Sequence, residues 1–231
     1  MDPHTLKKLN EARIARKAAV MITHLGDGRD RLVLESDQVK GDLGTHVEKA
    51  FLSGKSSAQE IGDERFFINV HLPPPRIVVI GAVHISQALA TLAKTAGYAL
   101  EVIDPRTAFA TVERFGETEL FAEWPDEVLK SRPLDAYCAL AAVTHDPKID
   151  DYPLEAALEA GCFYVGALGS RKTHAKRMAR LIENGVSQEK LDRVHSPIGL
   201  DIGAASPQEI AVAIMAEIIS AFRNRGLEHQ S

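Results

Sequence analysis

Residues that could hold an anionic ligand follow three apolar stretches of the sequence. Gly81 ends the first, Thr144-His145-Asp146 the second, and Gly169-Ser170-Arg171 the third. Because ligands lie beyond the carboxyl ends of strands in parallel α/β sheets, these positions are candidates for binding. Ser170 can cap a helix whose free amides, with Arg171 and Lys172, would form an anion site. We therefore expect this region to accept a phosphate.

An ordinary structural role is open for some of these residues. Thr144 and Asp146 could only turn the chain into the next helix, since both residue types do so routinely. For Arg171 we favour contact with a ligand. For Lys176, Arg177 and Arg180, later on the same predicted helix, a solvated helix face is the more common interpretation.

The element that must position the first of these groups is a predicted strand, turn, helix and strand over residues 76–106. Ile77 to Ile80 form a β-branched run, as in a strand covered on both faces, and Ser86 to Ala96 have helical spacing of apolar residues. The strand from Tyr98 ends in Asp104, followed by Pro105 and Arg106. Asp104 comes roughly 20 residues past the turn, where a dinucleotide-binding unit places its ribose-binding acid.

The glycine fingerprint of that turn is incomplete. The pattern G-x-G-x-x-G requires glycines at 81, 83 and 86, and the chain has Gly81, Val83 and Ser86. Ser86 is small enough for close packing, whereas the Val83 side chain should crowd a pyrophosphate. Val83 argues against an ordinary dehydrogenase. A Rossmann-like scaffold that binds no dinucleotide is the alternative.

The rest of the chain predicts an α/β protein with a small module in front. Residues 1–72 predict a mostly antiparallel α+β module, with a loop at Gly41 and Gly44 before a helix capped by Thr45. Residues 73–75 are a proline linker, and residues 76–231 predict a Rossmann-like parallel sheet domain. Further predicted helices are 151–160 and one from Ser206, followed by a tail at 227–231. Asp201 lies between two glycines in a loop that could approach a ligand.

Composition excludes several classes of protein. With 27 basic and 32 acidic residues among 231, the net charge is −5, which does not favour nucleic acid as a partner. No signal peptide and no membrane-spanning run are evident, so a cytoplasmic location is expected. The two cysteines, Cys138 and Cys162, lack CxxC spacing and are predicted to be core residues, so no metal site is predicted.

Four segments together resemble a known family. They are GAVHISQAL from Gly81, THDPKIDD from Thr144, YVGALGSRKTHAKR from Tyr164, and HSPIGLDIGAASPQEIAVAI from His195. These loop sequences closely resemble the XdhC/CoxI family of molybdenum-hydroxylase maturation factors, over residues 76 to about 222. Val83 looks like the CoxI-type variant of a turn that elsewhere in the family reads GAGH.

The resemblance implies a role in binding, modifying or delivering molybdenum cofactor to enzymes of the xanthine or carbon monoxide dehydrogenase type. The implied partners are a molybdenum hydroxylase apoenzyme and either a cysteine desulfurase or a cofactor nucleotidyltransferase. A homodimer would suit the amphipathic first helix. The alternatives are an NAD(P)-dependent oxidoreductase and a non-catalytic nucleotide-binding module. No catalytic residue is assigned; the candidate cofactor-binding residues are Gly81, His84, Ile85, Asp104, Arg106, Thr144, His145, Asp146, Gly169, Ser170, Arg171 and Asp201.

Overall fold

A computed structural model describes residues 2–225 of the protein, which fall into two compact units. Unit 1 contains the residues up to Pro74 together with the end of the last helix, from Arg223. Unit 2 is Pro75–Phe222. The assignment of residues 1–72 and 76–231 to two separate domains stays a prediction.

Unit 1 is built on a four-stranded antiparallel sheet in the order β2-β1-β4-β3. Its strands are β1 Ala19–His24, β2 Asp30–Leu34, β3 Ser57–Ile61 and β4 Glu64–His71, and its helices are α1 Pro3–Ile14 and α2 Gly41–Ser53. Leu9 and Ala12 of α1 pack against Ala19 and Met21 of β1. The predicted antiparallel module is therefore confirmed.

The predicted loop at Gly41 and Gly44 is wrong, because α2 already begins at Gly41 rather than at Thr45. Glycine is common in loops, but Gly44, within the helix, instead allows a close approach of backbone. A Cβ at Gly44 would collide with the backbone carbonyl of Val39. The lack of a side chain thus lets the first turn of α2 pass over the preceding segment.

Unit 2 is built on a six-stranded parallel sheet in the order β10-β9-β8-β5-β6-β7. The strands are β5 Arg76–Ile80, β6 Ala99–Ile103, β7 Glu119–Phe121, β8 Cys138–Ala142, β9 Tyr164–Ala167 and β10 Val194–His195. The strand order reverses between β5 and β8, as in doubly wound dinucleotide-binding folds. The predicted fold class is therefore confirmed.

Helices cover both faces of this sheet, and its central strands β8 and β9 are buried along their whole length. The helices are α3 His84–Ala96, α4 Val112–Phe115, α5 Pro125–Ser131, α6 Pro147–Glu159, α7 Arg171–Glu183, α8 Gln188–Leu191 and α9 Pro207–Asn224. One hydrophobic cluster joins the sheet to α6 and α7 through Leu154 and Leu181. The other joins it to α3 and α9 through Leu89, Ile214 and Ile218.

Two helix starts are set by capping side chains. Helix α6 begins at Pro147 and not at the predicted Asp151, because Asp146 caps it and accepts a hydrogen bond from the Lys148 amide at 3.0 Å. The predicted capping box of α9 is present: the Ser206 amide donates to Glu209 Oε2 at 2.8 Å, and the Glu209 amide donates to Ser206 Oγ at 3.2 Å. The predicted tail at 227–231 lies outside the described residues.

None of the helices formed by residues 2–225 has the length and apolar character needed to cross a membrane.

Candidate functional site

The turn after β5 and the loop after β8 touch at the point where the strand order reverses. Gly81 has a φ of +120°, and its amide donates to the carbonyl of Ile103 at 2.8 Å. A Cβ at Gly81 would lie 2.7 Å from Thr144 Cγ2. Two of the predicted segments therefore come together here, and only a residue without a side chain fits between them.

The Asp104 carboxylate stabilises this turn by accepting a hydrogen bond from its backbone. It is fully buried, and its Oδ2 accepts from the Ala82 amide at 2.7 Å and from Arg106 Nη2 at 2.7 Å. Its Oδ1 accepts from the Arg106 amide and from Arg106 Nε, both at 2.9 Å. Both oxygens are thus occupied by protein donors. A direct contact from Asp104 to a ribose would require the bidentate pair with Arg106 to open.

Burial alone would raise the pKa of Asp104, but the hydrogen bonds from Arg106 and from the Ala82 amide hold this pKa below its ordinary value. The carboxylate is therefore charged at neutral pH. Its negative charge fixes the guanidinium of Arg106, which lies over the Phe109 ring at 4.8 Å from the centroid. Asp104 is best described as a positioning residue for the turn and for Arg106.

The first residues of α3 complete the turn. Ser86 Oγ donates to the carbonyl of Gly81 at 2.5 Å and is fully buried, which agrees with the close packing expected of a small residue. Ile85 packs into the core and His84 is exposed. The Val83 side chain is partly buried against the same core. Of these residues, His84 is the one that presents its side chain to solvent.

The loop after β8 is held by a buried carboxylate. Thr144 Oγ1 donates to Asp150 Oδ1 at 2.7 Å, and the His145 amide donates to Asp150 Oδ2 at 3.1 Å. Asp150 is 1% exposed, and burial raises its pKa to about 6. His145 has a left-handed backbone, with a φ of +65°, and its side chain is exposed. Thr144 and Asp146 thus fill the structural roles that the sequence left open.

Helix α7 contributes a buried arginine that was predicted to lie on a solvated face. Arg177 is 2% exposed, so that prediction is wrong for this residue. Its Nη2 donates to the carbonyl of Leu168 at 3.0 Å and lies 3.9 Å from Asp150 Oδ2. Its Nε and Nη1 are buried without a hydrogen-bond partner among the described residues. Arg177 therefore contacts both the loop after β9, at Leu168, and helix α6, at Asp150.

A basic cavity opens beside this arginine. It has a volume of about 280 Å³ and is lined by His145, Pro147, Lys172, Thr173, Lys176, Arg177 and Arg180. Arg180 is held by the Asp151 carboxylate through bonds of 2.6 and 3.0 Å. We call this space the basic cavity. It is suited to an anion, because most of its side chains carry positive charge or donate hydrogen bonds.

The predicted anion site at Gly169, Ser170 and Arg171 lies at the start of α7, next to this cavity. Ser170 caps the helix as predicted, accepting from the Thr173 amide at 3.2 Å. Arg171 is exposed and is not part of the cavity wall. Lys176 and Arg177, which the sequence did not single out as ligand contacts, follow Arg171 by five and six residues, about one and a half turns along the same helix.

A second polar network, also missed, orders the loop that carries Asp201. Tyr164 donates to Glu217 Oε2 at 2.6 Å, and the amide of Gly199 donates to the same oxygen at 2.8 Å. His195 Nδ1 lies 3.0 Å from Glu217 Oε1. The only signal in the sequence was Glu217, a charged residue within the apolar stripe of α9. Asp201 is exposed and does not line the basic cavity.

Within residues 2–225, no three His, Cys, Asp or Glu side chains are grouped so that they could hold a metal ion. Cys138 and Cys162 are both fully buried, and burial raises the pKa of each thiol. The predicted placement of both cysteines in the core is therefore confirmed.

Comparisons with known proteins point to one family. The model of the XdhC Rossmann domain matches residues 77–218. The chain is 33% identical to YqeB of Escherichia coli K12 over 68% of its length. It is 32% identical over 66% of its length to a Bacillus subtilis 168 protein named as a probable xanthine dehydrogenase component. It is 30% identical to the molybdenum cofactor insertion chaperone PaoD of E. coli K12 over 64%.

The chain spans only part of these relatives. It covers 29% of YqeB, 44% of the B. subtilis protein and 40% of PaoD. A crystal structure described as a xanthine dehydrogenase from Bacillus halodurans matches 96% of this chain and 65% of its own chain. The TM-score is 0.65 and the identity 25%.

Proposed function

The chain belongs to the XdhC family, and from this premise we propose that it is a maturation factor for a molybdenum hydroxylase. In this role it binds molybdenum cofactor and assists its modification or its insertion into the apoenzyme. Two relatives support the proposal by their names, the molybdenum cofactor insertion chaperone PaoD and the probable xanthine dehydrogenase component of B. subtilis. We infer a client of the xanthine or carbon monoxide dehydrogenase type.

The observation that carries this proposal is the convergence of three loops at the carboxyl edge of the sheet. Gly81 lies so near Thr144 that a Cβ would overlap it, and Arg177 lies between Leu168 of the loop after β9 and Asp150, whose carboxylate bonds the loop after β8. A phosphorylated pterin needs donors for its phosphate and polar groups for its rings. The exposed side chains of His84, His145 and Arg171, with the basic cavity, offer such groups in this region.

The turn geometry disfavours the oxidoreductase alternative. In a nicotinamide-dependent enzyme, the acid after the second strand of the unit accepts hydrogen bonds from the ribose. Here that acid, Asp104, is fully buried and bonded twice by the side chain of Arg106. The function that fits better is binding and transfer of a cofactor without hydride chemistry.

The predicted partners follow from the same role. The molybdenum hydroxylase apoenzyme would receive the cofactor, and a cysteine desulfurase or a cofactor nucleotidyltransferase would act on it before insertion. These partners, the homodimer, the cytoplasmic location and the individual cofactor-binding residues stay predictions.

Binding of the isolated cofactor tests the proposal. Molybdenum cofactor released from a molybdenum hydroxylase is mixed with the protein under anaerobic conditions, and protein-bound pterin and molybdenum are measured after gel filtration. We expect both to elute with the protein and to restore activity to a cofactor-free hydroxylase. A parallel titration follows NADH fluorescence. Binding of NADH without retention of pterin would overturn the proposal in favour of the oxidoreductase.

A further inference from the structure

We infer that the basic cavity between the loop after β8 and helix α7 is a phosphate subsite, in which Arg177 is the buried anchor. The identity of the ligand rests on the proposed function: in a protein that carries molybdenum cofactor, the group bound here is the phosphate ester of the pterin. The subsite itself follows from the side chains that form it.

The first observation is the incomplete bonding of Arg177. Its guanidinium is almost fully buried, yet within residues 2–225 Nε and Nη1 have no hydrogen-bond partner, and only Nη2 is satisfied, by the carbonyl of Leu168. Buried polar groups in folded proteins are nearly always bonded, so two free donors on one cation need an explanation. An anion in the cavity that Arg177 lines would accept from them.

The second observation is that the neighbouring carboxylate of Asp150 does not bond these two donors of Arg177. Asp150 Oδ2 lies 3.9 Å from Arg177 Nη2, which is beyond hydrogen-bond distance. The Asp150 oxygens instead accept from the Thr144 hydroxyl and the His145 amide. Burial raises the pKa of Asp150 only to about 6, so the carboxylate is charged at neutral pH and offsets part of the charge of Arg177 without bonding Nε or Nη1. Nε and Nη1 of Arg177 therefore stay available as hydrogen-bond donors to a ligand.

The third observation is the composition of the wall. Lys172 and Lys176 lie one turn apart on α7 and are exposed, so they can reach a ligand from the open side. Arg180 also lines the cavity, but Asp151 holds its guanidinium. A volume of about 280 Å³ exceeds the space of several water molecules, which leaves room for a phosphate and the part of the ligand attached to it.

The loop before α7 leaves the approach to Arg177 clear. Gly169 has a φ of +147°, and a Cβ built there would lie 3.9 Å from Arg177 Nη1 and 3.2 Å from Thr173 Cβ. A side chain at this position would fill space beside the free donor. Glycine suits this position because of its φ and its close approach to Thr173, and it adds no side chain beside Arg177 Nη1.

The test uses inorganic phosphate as the probe, with isothermal titration calorimetry at constant ionic strength. The main variant is Lys172→Ala with Lys176→Ala, because both side chains are exposed and their loss should leave the fold intact. The matched control is Lys94→Ala with Lys130→Ala, which removes the same charge from exposed sites on α3 and α5. Arg177→Lys keeps a buried positive charge but removes the guanidinium fork.

We expect the wild type and the control to bind phosphate equally, and the Lys172/Lys176 variant to bind about tenfold or more weakly. Arg177→Lys should bind phosphate more weakly still, while its circular dichroism spectrum stays that of the wild type. If Arg177→Lys does not fold, the comparison of the Lys172/Lys176 variant with the control tests the subsite. Equal binding by the control and the Lys172/Lys176 variant, or no binding by the wild type, would overturn the subsite.

Comparison of phosphate binding with pterin retention distinguishes a failure of this inference from a failure of the proposed function. If the wild type binds phosphate through the lysine pair but does not retain pterin, the subsite stands and the proposed function fails; titration with adenosine monophosphate then shows whether a nucleotide supplies the phosphate. If pterin is retained equally by the wild type and the Lys172/Lys176 variant, the proposed function stands and the subsite fails.

Discussion

Replacement of Asp104 by asparagine should destabilise unit 2 more than any surface change of equal charge. The side chain keeps its size, but one of its two acceptor oxygens becomes a donor that faces the amide of Ala82 or the guanidinium of Arg106. Breaking a buried ion pair costs about 3–5 kcal/mol. Because Arg106 is 33% exposed and can turn towards water, we expect a loss of about 2–4 kcal/mol of unfolding free energy.

Urea unfolding followed by tryptophan fluorescence measures this loss in the right part of the chain. Trp124 is the only tryptophan of the sequence and lies in unit 2. The difference between wild type and Asp104→Asn should also shrink at acid pH. The pKa of Asp104 is lowered in the folded state, so its contribution is present above the unfolded-state pKa and is lost as the pH falls through the folded one.

The matched control for this experiment is Glu117→Gln, which removes a carboxylate charge from an exposed ion pair. Lys94 Nζ lies 3.1 Å from Glu117 Oε2, and the two side chains are 80% and 91% exposed. Such pairs contribute about 0–1 kcal/mol. If Asp104→Asn were no more destabilising than Glu117→Gln, the conclusion that Asp104 braces the turn would be wrong.

Three other outcomes are expected. Gly81→Ala should cost about 2–4 kcal/mol of unfolding free energy, through a strained φ and overlap with Thr144, measured by the same urea titration. The raised pKa of Asp150, about 6, means that its contribution is lost as the pH rises through that value; between about pH 8 and pH 5, stability relative to Asp150→Asn should therefore shift by about 1.5 kcal/mol in favour of the wild type. Cys138 and Cys162 should resist iodoacetamide in the native protein at pH 8, as read by mass spectrometry, because both thiols are buried and their pKa values raised.

Each of these outcomes has its own control. Gly97→Ala places a side chain at a φ of +77° where no described atom lies within 4 Å, so it isolates backbone strain from overlap. If Gly81→Ala lost no more unfolding free energy than Gly97→Ala, the conclusion that the two loops are in close contact at Gly81 would be wrong. An equal pH dependence of the wild type and Asp150→Asn would contradict the raised pKa. Modification of the native thiols as rapid as in urea would contradict their burial.

The architecture was predictable because it depends on patterns that repeat over whole elements. The β-branched run before Gly81 and the apolar stretch before Thr144 specify buried parallel strands, and their ends specify where the loops meet. The same logic placed Asp104 correctly in the chain. It did not show that Arg106, two residues later, folds back and occupies both carboxylate oxygens, because that contact depends on the path of a loop.

Arg177 shows why the basic cavity was not predicted. The sequence of α7 is strongly basic, and charge alone suggested a solvated face. Arg177 precedes the buried Leu181 by four residues, so the two share the face that packs on the sheet. The four-residue spacing between Arg177 and Leu181 was the available sign that Arg177 is buried. It was outweighed by the many charged residues around it, which the structure leaves at the surface.

The position of β5 in the sheet has a consequence for how the chain is made. Its neighbour β6 follows closely, but the strand on its other side pairs Arg76 with Cys138, 62 residues later. At about 5–20 residues per second, ribosomal synthesis of that interval takes roughly 3–12 s. During this time the backbone N–H and C=O groups on one edge of the apolar strand β5 have no partner strand, and such unpaired edges are templates for aggregation. The nascent chain should therefore be most vulnerable, and most in need of a chaperone, just before β8 is synthesised.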